Sequence, residues 1–537
     1  MIGKLWGFIL PGAALILLLG LLHHHWQIIT APVPLDLYEG TMPLITSIIA
    51  EGKNPYTKAF QPQAADVYPP LYNILVAPLT SVFGNTFELH RSVSAVFIFA
   101  AAVLCGLTCC RVSGSKRHGF AAATMFYAAL LFYATPVSST NAPGVAIYLA
   151  GLLVPWYFRF SNASLLFGLI CGILAFYTKQ YFILGMAILC LYTFVYVSMS
   201  RALLLGIFYS CGLISSLAIV HVTSPYYLDN TLFAPSAAMQ GLQSWAILAI
   251  QLRVYLYTYS ALLLVILTVI AAEAIRLGSA GCLAHLRTSL QLARQGFKGP
   301  LLAARGNFFW FCLLWSSIVI VFYLGRNPGN YMTYLFQLMS PFLLILAFRS
   351  MVSLPPKMAL IAPLALFSLY QAYAILPKDF STNLDNWGQV EQLIQENDQI
   401  LATQMLVMPL LKNNKLVHQD GHTFYFPLAV KKPAFFIKKK EGDTVSAIWT
   451  EYITNLYRKI ERKEFDLILV SPWELRGIFE RNPPPFKKIS GRRFLSRHYK
   501  TEQTIKLSMT DRYGGGIYDI QIWRPKNKAM REQKNGK

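Results

Sequence analysis

About eleven apolar runs, each close to the length that crosses a hydrocarbon core, fill the chain from Leu5 to Leu376 and then stop. Lipid offers a backbone no hydrogen-bond partner, so runs of this kind are confined to helices that satisfy their own N–H and C=O groups. The first, Leu5 to Leu22, follows a single Lys4 and is succeeded by His23-His24-His25-Trp26 rather than by a small-residue cleavage pattern, and it reads as an uncleaved anchor. The others lie near 92–110, 119–135, 143–158, 163–177, 181–198, 202–222, 254–275, 307–325, 331–348 and 358–376. With 55% hydrophobic and 13% charged residues and a mean hydropathy of +0.43, the chain is expected to be a polytopic α-helical membrane protein.

The loops between these runs carry an orientation signal. Arg111, Lys116 and Arg117 share one loop, Arg159 marks the next on that side, then Arg201, then Arg276, Arg287, Arg294, Lys298 and Arg305, then Arg349 and Lys357. Every second loop is basic, which assigns those loops and the amino terminus to the cytoplasm. An odd number of crossings then places the segment around Asp36 and Glu39, and everything after Leu376, outside. Leu71 to Val82 is too short to cross, begins after Pro69-Pro70 and contains Pro78, so it reads as an interfacial or re-entrant helix on the outer leaflet.

Beyond Pro377 the hydrophobic period changes. Val390 to Leu401 and Ser446 to Arg462 have helical periodicity, whereas Phe465 to Val470 reads as a buried strand and Ile517 to Trp523 alternates like a late one. The expected organisation is a transmembrane domain over 1–376, with 23–90 as its first outer loop, a smaller extracytoplasmic α/β domain over 377–524, and a disordered basic tail over 525–537. None of the eight cysteines lies in the terminal domain, so no structural disulfide is expected. The formal charge of +22 is not accompanied by any nucleic-acid-reading pattern and points to anionic lipid and phosphorylated substrates. Lys438-Lys439-Lys440, Lys487-Lys488 and Arg492-Arg493 read as a solvated basic face of the outer domain, the alternative being a surface for anionic lipid headgroups or glycans.

Polar chemistry gathers between Leu35 and Arg91, in Leu35-Asp36-Leu37-Tyr38-Glu39-Gly40, Glu51-Gly52-Lys53-Asn54-Pro55-Tyr56, Tyr68-Pro69-Pro70-Leu71-Tyr72 and His90-Arg91. A reaction on a lipid phosphate needs a carboxylate to take the proton of an attacking hydroxyl and cations to stabilise the phosphate that leaves. Asp36 and Glu39, three apart, supply the first on a shared face if the segment is helical; the competing reading is an Asp36 helix cap and a solvated Glu39. Lys179, set with Gln180 between two apolar runs, and Arg326 supply the second, with Lys53 and Arg91 flanking the first loop. Each cation has the alternative of snorkelling at the interface. Three consecutive histidines rarely converge on one ion, so no metal site is expected at His23-His24-His25, and His418 and His422 read as a surface pair.

These elements together resemble the GT-C superfamily of polytopic glycosyltransferases, in particular the dolichyl-phosphate-mannose mannosyltransferase-like and aminoarabinose-transferase-like group. The resemblance is carried by Asp36 and Glu39-Gly40, by Gly52-Lys53-Asn54-Pro55-Tyr56, by Tyr68-Pro69-Pro70-Leu71-Tyr72, by His90-Arg91-Ser92, by Thr178-Lys179-Gln180 and by Asn330-Tyr331. Tyr38 stands where the family commonly has the Asp of an Asp-Glu pair. The resemblance implies transfer of a sugar from a polyprenyl-phosphate donor to a glycan, lipid or protein acceptor at the outer face of the cytoplasmic membrane, usually with inversion. It implies Glu39, then Asp36, as the base, and Lys179 and Arg326, then Lys53 and Arg91, as phosphate ligands. Tyr68, Tyr72, Gln180, Asn330 and Tyr331 would line the substrate, with no cofactor. A flippase for anionic lipid-linked glycans and a non-catalytic glycan-binding protein are the alternatives. Transporters place charges near the bilayer midplane, whereas the polar residues here cluster at one face.

Overall fold

The computed structural model describes residues 2–36, 39–132, 136–239, 244–295, 306–326, 335–353, 361–374, 384–419, 422–423, 426, 441–472, 491–508 and 517–526. The described part of each apolar run read from the sequence falls largely on a helix. In chain order the helices begin with α1 (Ile2–Thr30), α2 (Thr41–Ala50), α3 (Leu71–Phe83), α4 (Phe87–Ser113), α5 (Lys116–Leu130), α6 (Asn141–Tyr157) and α7 (Asn162–Phe176). They continue with α8 (Ile183–Tyr196), α9 (Met199–Thr223), α10 (Ala234–Met239), α11 (Trp245–Gln295), α12 (Gly306–Leu324), α13 (Ser340–Ser353) and α14 (Ile361–Ala374). Among the described residues, Ile9–Thr30, Phe87–Ser113, Met199–Thr223 and Trp245–Ala271 are long and apolar enough to cross a membrane. The chain is a multi-pass membrane protein.

Two compact units divide the chain. The first holds 1–28, 91–218 and 241–377, and the second holds 29–90, 219–240 and 378–537. Helices of the first unit approach one another through small residues, as membrane helices do when side chains would hold their backbones apart. A Cβ on Gly106 of α4 would lie 2.7 Å from the carbonyl oxygen of Gly119 in α5, and the reverse distance is the same. A Cβ on Gly151 of α6 would lie 3.0 Å from the Cβ of Cys171 in α7.

In the second unit the chain after residue 383 forms α15 (Leu384–Glu396), β1 (Ile400–Ala402), α16 (Val407–Lys412), α17 (Val445–Glu461), β2 (Leu467–Val470), α18 (Gly491–His498), β3 (Tyr499–Ser508) and β4 (Ile517–Pro525). The sheet order is β1-β2-β4-β3, with β1 parallel to β2 and the other pairs antiparallel. β2 is buried along its whole length because both faces are covered. Leu467 and Leu469 pack with Trp387, Val390 and Ile394 of α15, while Ile468 and Val470 pack with Trp449, Ile453 and Leu456 of α17. The helix expected to reach Leu401 ends at Glu396 instead. Asn397 Nδ2 donates to the Leu393 carbonyl at 2.7 Å, and the Gln399 N–H donates to Asp466 Oδ2 at 3.1 Å, which turns the chain into β1.

The segment after the first span belongs to this second unit. Leu44, Ile45 and Ile48 of α2 form a core with Ala64 and Val407. Gly40 lets that core close, because a Cβ there would sit 2.9 Å from Val407 Cβ and 3.3 Å from the Gln404 carbonyl oxygen. Gly40→Ala is therefore expected to destabilise the unit by about 1–3 kcal/mol through overpacking, read as a lowered unfolding midpoint in detergent.

Of His418 and His422, read from the sequence as a surface pair, His422 is buried in this unit and His418 is half-buried. His418 rests edge-on against Phe465 at 5.0 Å, and its carbonyl accepts from Tyr452 Oη at 3.0 Å. Burial, with a smaller contribution from the Lys459 charge, lowers its pKa from 6.5 to about 4. The folded state thus keeps the ring neutral where the unfolded chain binds a proton. Stability is whole above about pH 6.5 and falls as pH drops toward 4, by about 3 kcal/mol in total. Thermal unfolding of wild type and His418→Gln across pH 7 to 4 should show the variant with the shallower slope.

Candidate functional site

The residues of the first loop are set by a tight turn. Val33, Pro34 and Leu35 are buried, and the Glu39 N–H donates to the Asp36 carbonyl at 3.1 Å. The Glu39 carboxylate folds back so that Oε2 accepts from the Leu35 N–H at 2.8 Å, and the residue is only 1% exposed. A carboxylate can be buried this way when backbone N–H groups satisfy it. Neither acidic residue is on a helix: α2 starts at Thr41, and its N-cap is Gly40 with no side-chain cap. The alternative of an Asp36 cap and a solvated Glu39 is therefore replaced by a half-buried Asp36 on a turn tied by a buried Glu39.

Further along, Lys53 is exposed and paired with Glu51 at 2.6 Å. Asn54 binds the Thr223 carbonyl at 2.9 Å and Ser224 Oγ at 2.8 Å through Nδ2, while its Oδ1 accepts from the Tyr56 N–H. Tyr56 Oη donates to the Tyr68 carbonyl at 2.8 Å, and its ring meets Tyr227 edge-on. Burial, then the neighbouring Asp66 charge, then Tyr227 hold the Tyr56 phenol well above its ordinary pKa. Tyr68 is half-buried, whereas Tyr72 is fully buried with its Oη donating to the His90 carbonyl at 3.0 Å. His90 Nε2 meets Asn85 Oδ1 at 2.9 Å, and Asn85 Nδ2 donates to the Pro43 carbonyl. Tyr72 thus helps hold α2, α3 and the start of α4 together.

The other cations lie in the first unit. Arg91 is fully buried, and its Nη1 donates to the Ile28 carbonyl at the end of α1 at 3.1 Å. Lys179 is 4% exposed in the turn after α7, where Nζ donates to Asn141 Oδ1 at 2.9 Å and lies 5.5 Å from the Tyr181 ring centre. Gly144 of α6 brings this turn close, since a Cβ there would fall 2.7 Å from Thr178 Oγ1. Gln180 is half-buried at the start of a short 3-10 turn, Gln180–Phe182. Tyr181 Oη donates to Gln337 Oε1 at 3.4 Å across to the π-helical turn Leu335–Met339. Arg326 stacks over Trp245 at 4.7 Å, and its carbonyl accepts from the Ser244 N–H. Asn330 and Tyr331 lie outside the described residues.

Sequence reading did not single out Asn141, Tyr181, Gln337 or Trp245. The usable signal was the pair of amides, Asn141 and Gln337, standing in otherwise apolar surroundings, where an amide needs a polar partner. The histidine triplet is resolved into separate environments: His23 is exposed, while His25 is buried with Nδ1 2.7 Å from Tyr127 Oη.

No family model and no curated protein matches the chain. Among solved structures it is similar to ArnT from Cupriavidus metallidurans bound to undecaprenyl phosphate, at 12% identity over 96% of this chain and 98% of that one, with a TM-score of 0.49. It is also similar to the apo state of the same protein, at 12% identity over 95% of this chain and 97% of that one, with a TM-score of 0.46.

Proposed function

We propose that this chain transfers a sugar from a polyprenyl-phosphate donor to a hydroxyl-bearing acceptor at the outer face of the cytoplasmic membrane. The observation that carries the reading is the Lys179 ammonium, almost fully buried in a unit of apolar helices and held on an amide oxygen. Removing an ammonium from water costs several kcal/mol, and intramembrane ionisable groups of this kind mark ligand and ion pathways. A lipid phosphate at the membrane edge is the anion that such a cation suits.

In this reading Asp36 is the base, because the Glu39 carboxylate is committed to the Leu35 N–H and fixes the turn on which Asp36 stands. Asp36 takes the proton as the acceptor oxygen attacks the anomeric carbon. The bond from that carbon to the phosphate oxygen breaks, and polyprenyl phosphate leaves with one more negative charge. Lys179 and Arg326 stabilise that charge, while Tyr68 and Gln180 line the sugar. Asn330 and Tyr331 are further lining candidates. Lys53 and Arg91 are the weaker phosphate ligands, the first exposed and the second tied to α1. The amino terminus is cytoplasmic, the terminal α/β region is outside, and its basic surface meets anionic lipid.

The test is release of polyprenyl phosphate. Purified protein in nanodiscs is mixed with polyprenyl-phosphate sugars and a panel of glycan, lipid and peptide acceptors. Acceptor-dependent release supports transfer; movement of intact donor across vesicles without cleavage replaces it with translocation.

A further inference from the structure

A second buried carboxylate lies within the outer-loop unit, and the catalytic reading gives it no task. Asp66 is 0% exposed and His422 2% exposed, with His422 Nδ1 3.2 Å from Asp66 Oδ1. The same Oδ1 accepts from the Tyr68 N–H at 3.0 Å, an Asx turn that sets the backbone of the residue two further on. The Tyr68 carbonyl is held in turn by Tyr56 Oη at 2.8 Å, and the Tyr68 ring stands edge-on to the His422 ring at 5.3 Å. Thr423 Oγ1 donates to the Gln63 carbonyl at 3.2 Å, fastening the same stretch one residue on. Tyr68 is therefore held at its N–H, its carbonyl and its ring, while remaining half-buried. A carboxylate is tolerated in the interior only with partners, and His422 is one that comes from a segment far away in the chain.

We infer that Asp66 and His422 are positioning residues that fix the orientation of Tyr68, and through it the affinity for the polyprenyl-linked sugar. The inference rests on the transfer reading and on Tyr68 as a substrate-lining residue. Pro69 and Pro70, which lead into α3, limit how the turn relaxes on its own. Their stiffness transmits a change at Asp66 to Tyr68 instead of absorbing it.

The experiment measures kcat and KM for the polyprenyl-phosphate sugar with wild type, His422→Ala, His422→Asn and Asp66→Asn, each also in a Tyr68→Ala background. His422→Ala is expected to raise KM about tenfold with a smaller change in kcat, and to change little once Tyr68 is gone, because residues that act through one another are not additive. His422→Asn, which keeps a polar group facing Asp66, should recover most of the loss. Equal effects with and without Tyr68, or an unchanged KM in folded His422→Ala, overturn the inference. Hydrogen exchange at the amides of residues 66–68, 71 and 72 is read in parallel without need of activity: faster exchange in His422→Ala is expected, and unchanged exchange overturns the clamp. Absence of transfer by wild type sinks the transferase reading itself, and is distinguishable from either result.

Discussion

Asp36→Asn is expected to lower sugar transfer by about 10²–10⁴-fold, the range that a positioned proton acceptor contributes, with the protein folded and present at its normal level. The expectation follows from the division of labour in one turn. Glu39 is 1% exposed with Oε2 on the Leu35 N–H, whereas Asp36 is only half-buried and lends its carbonyl to the turn's hydrogen bond. Glu39→Gln keeps an oxygen that can accept from Leu35 but loses the charge, so it should cost stability and some activity together. Steady-state kinetics alongside unfolding midpoints separate the two. Full activity in folded Asp36→Asn, with loss in folded Glu39→Gln, would exchange the roles.

Lys179→Met carries the second large effect. Methionine keeps an unbranched apolar chain of similar length and removes the ammonium. Loss of one electrostatic stabiliser of a leaving group costs about 10²–10³-fold in rate. Stability should stay level or rise, because the buried ammonium is a burden to the fold. If Lys179 served only the fold through Asn141, the pattern would reverse, with a fall in unfolding midpoint and little change in rate per folded molecule. Measuring kcat/KM and thermal unfolding on the same preparations distinguishes these outcomes.

The helices were legible as apolar runs, because lipid leaves such runs no other backbone structure, and among the described residues four of them are long and apolar enough to cross a membrane. The strand Leu467–Val470 was legible for a related reason: being covered on both faces, it reads as an unbroken apolar run. Tyr499–Ser508 was not foreseen. Among the described residues it pairs only with Ile517–Pro525, at the edge of the sheet, and its Lys500, Glu502 and Lys506 hide the alternation of Ile505 and Leu507. Lys179 stood out as a charge between apolar runs, and the structure places it in the interior. Glu39 did not announce its burial, because an acidic residue next to glycine ordinarily marks a surface turn. Its partner is a backbone N–H, which no spacing of side chains reveals. The Asp66–His422 pair was out of reach for a different reason: one histidine near another, in a polar stretch, says nothing about a loop that precedes it by several hundred residues.

The most direct test of the central claim is mass spectrometry of lipid-linked sugars and envelope glycans from cells carrying wild type, a deletion, or Asp36→Asn at normal protein level. Transfer from a polyprenyl-phosphate donor with Asp36 as the base requires that deletion and Asp36→Asn lose the same glycan and accumulate the same polyprenyl-phosphate sugar. A deletion that alters the profile while Asp36→Asn matches wild type would contradict it.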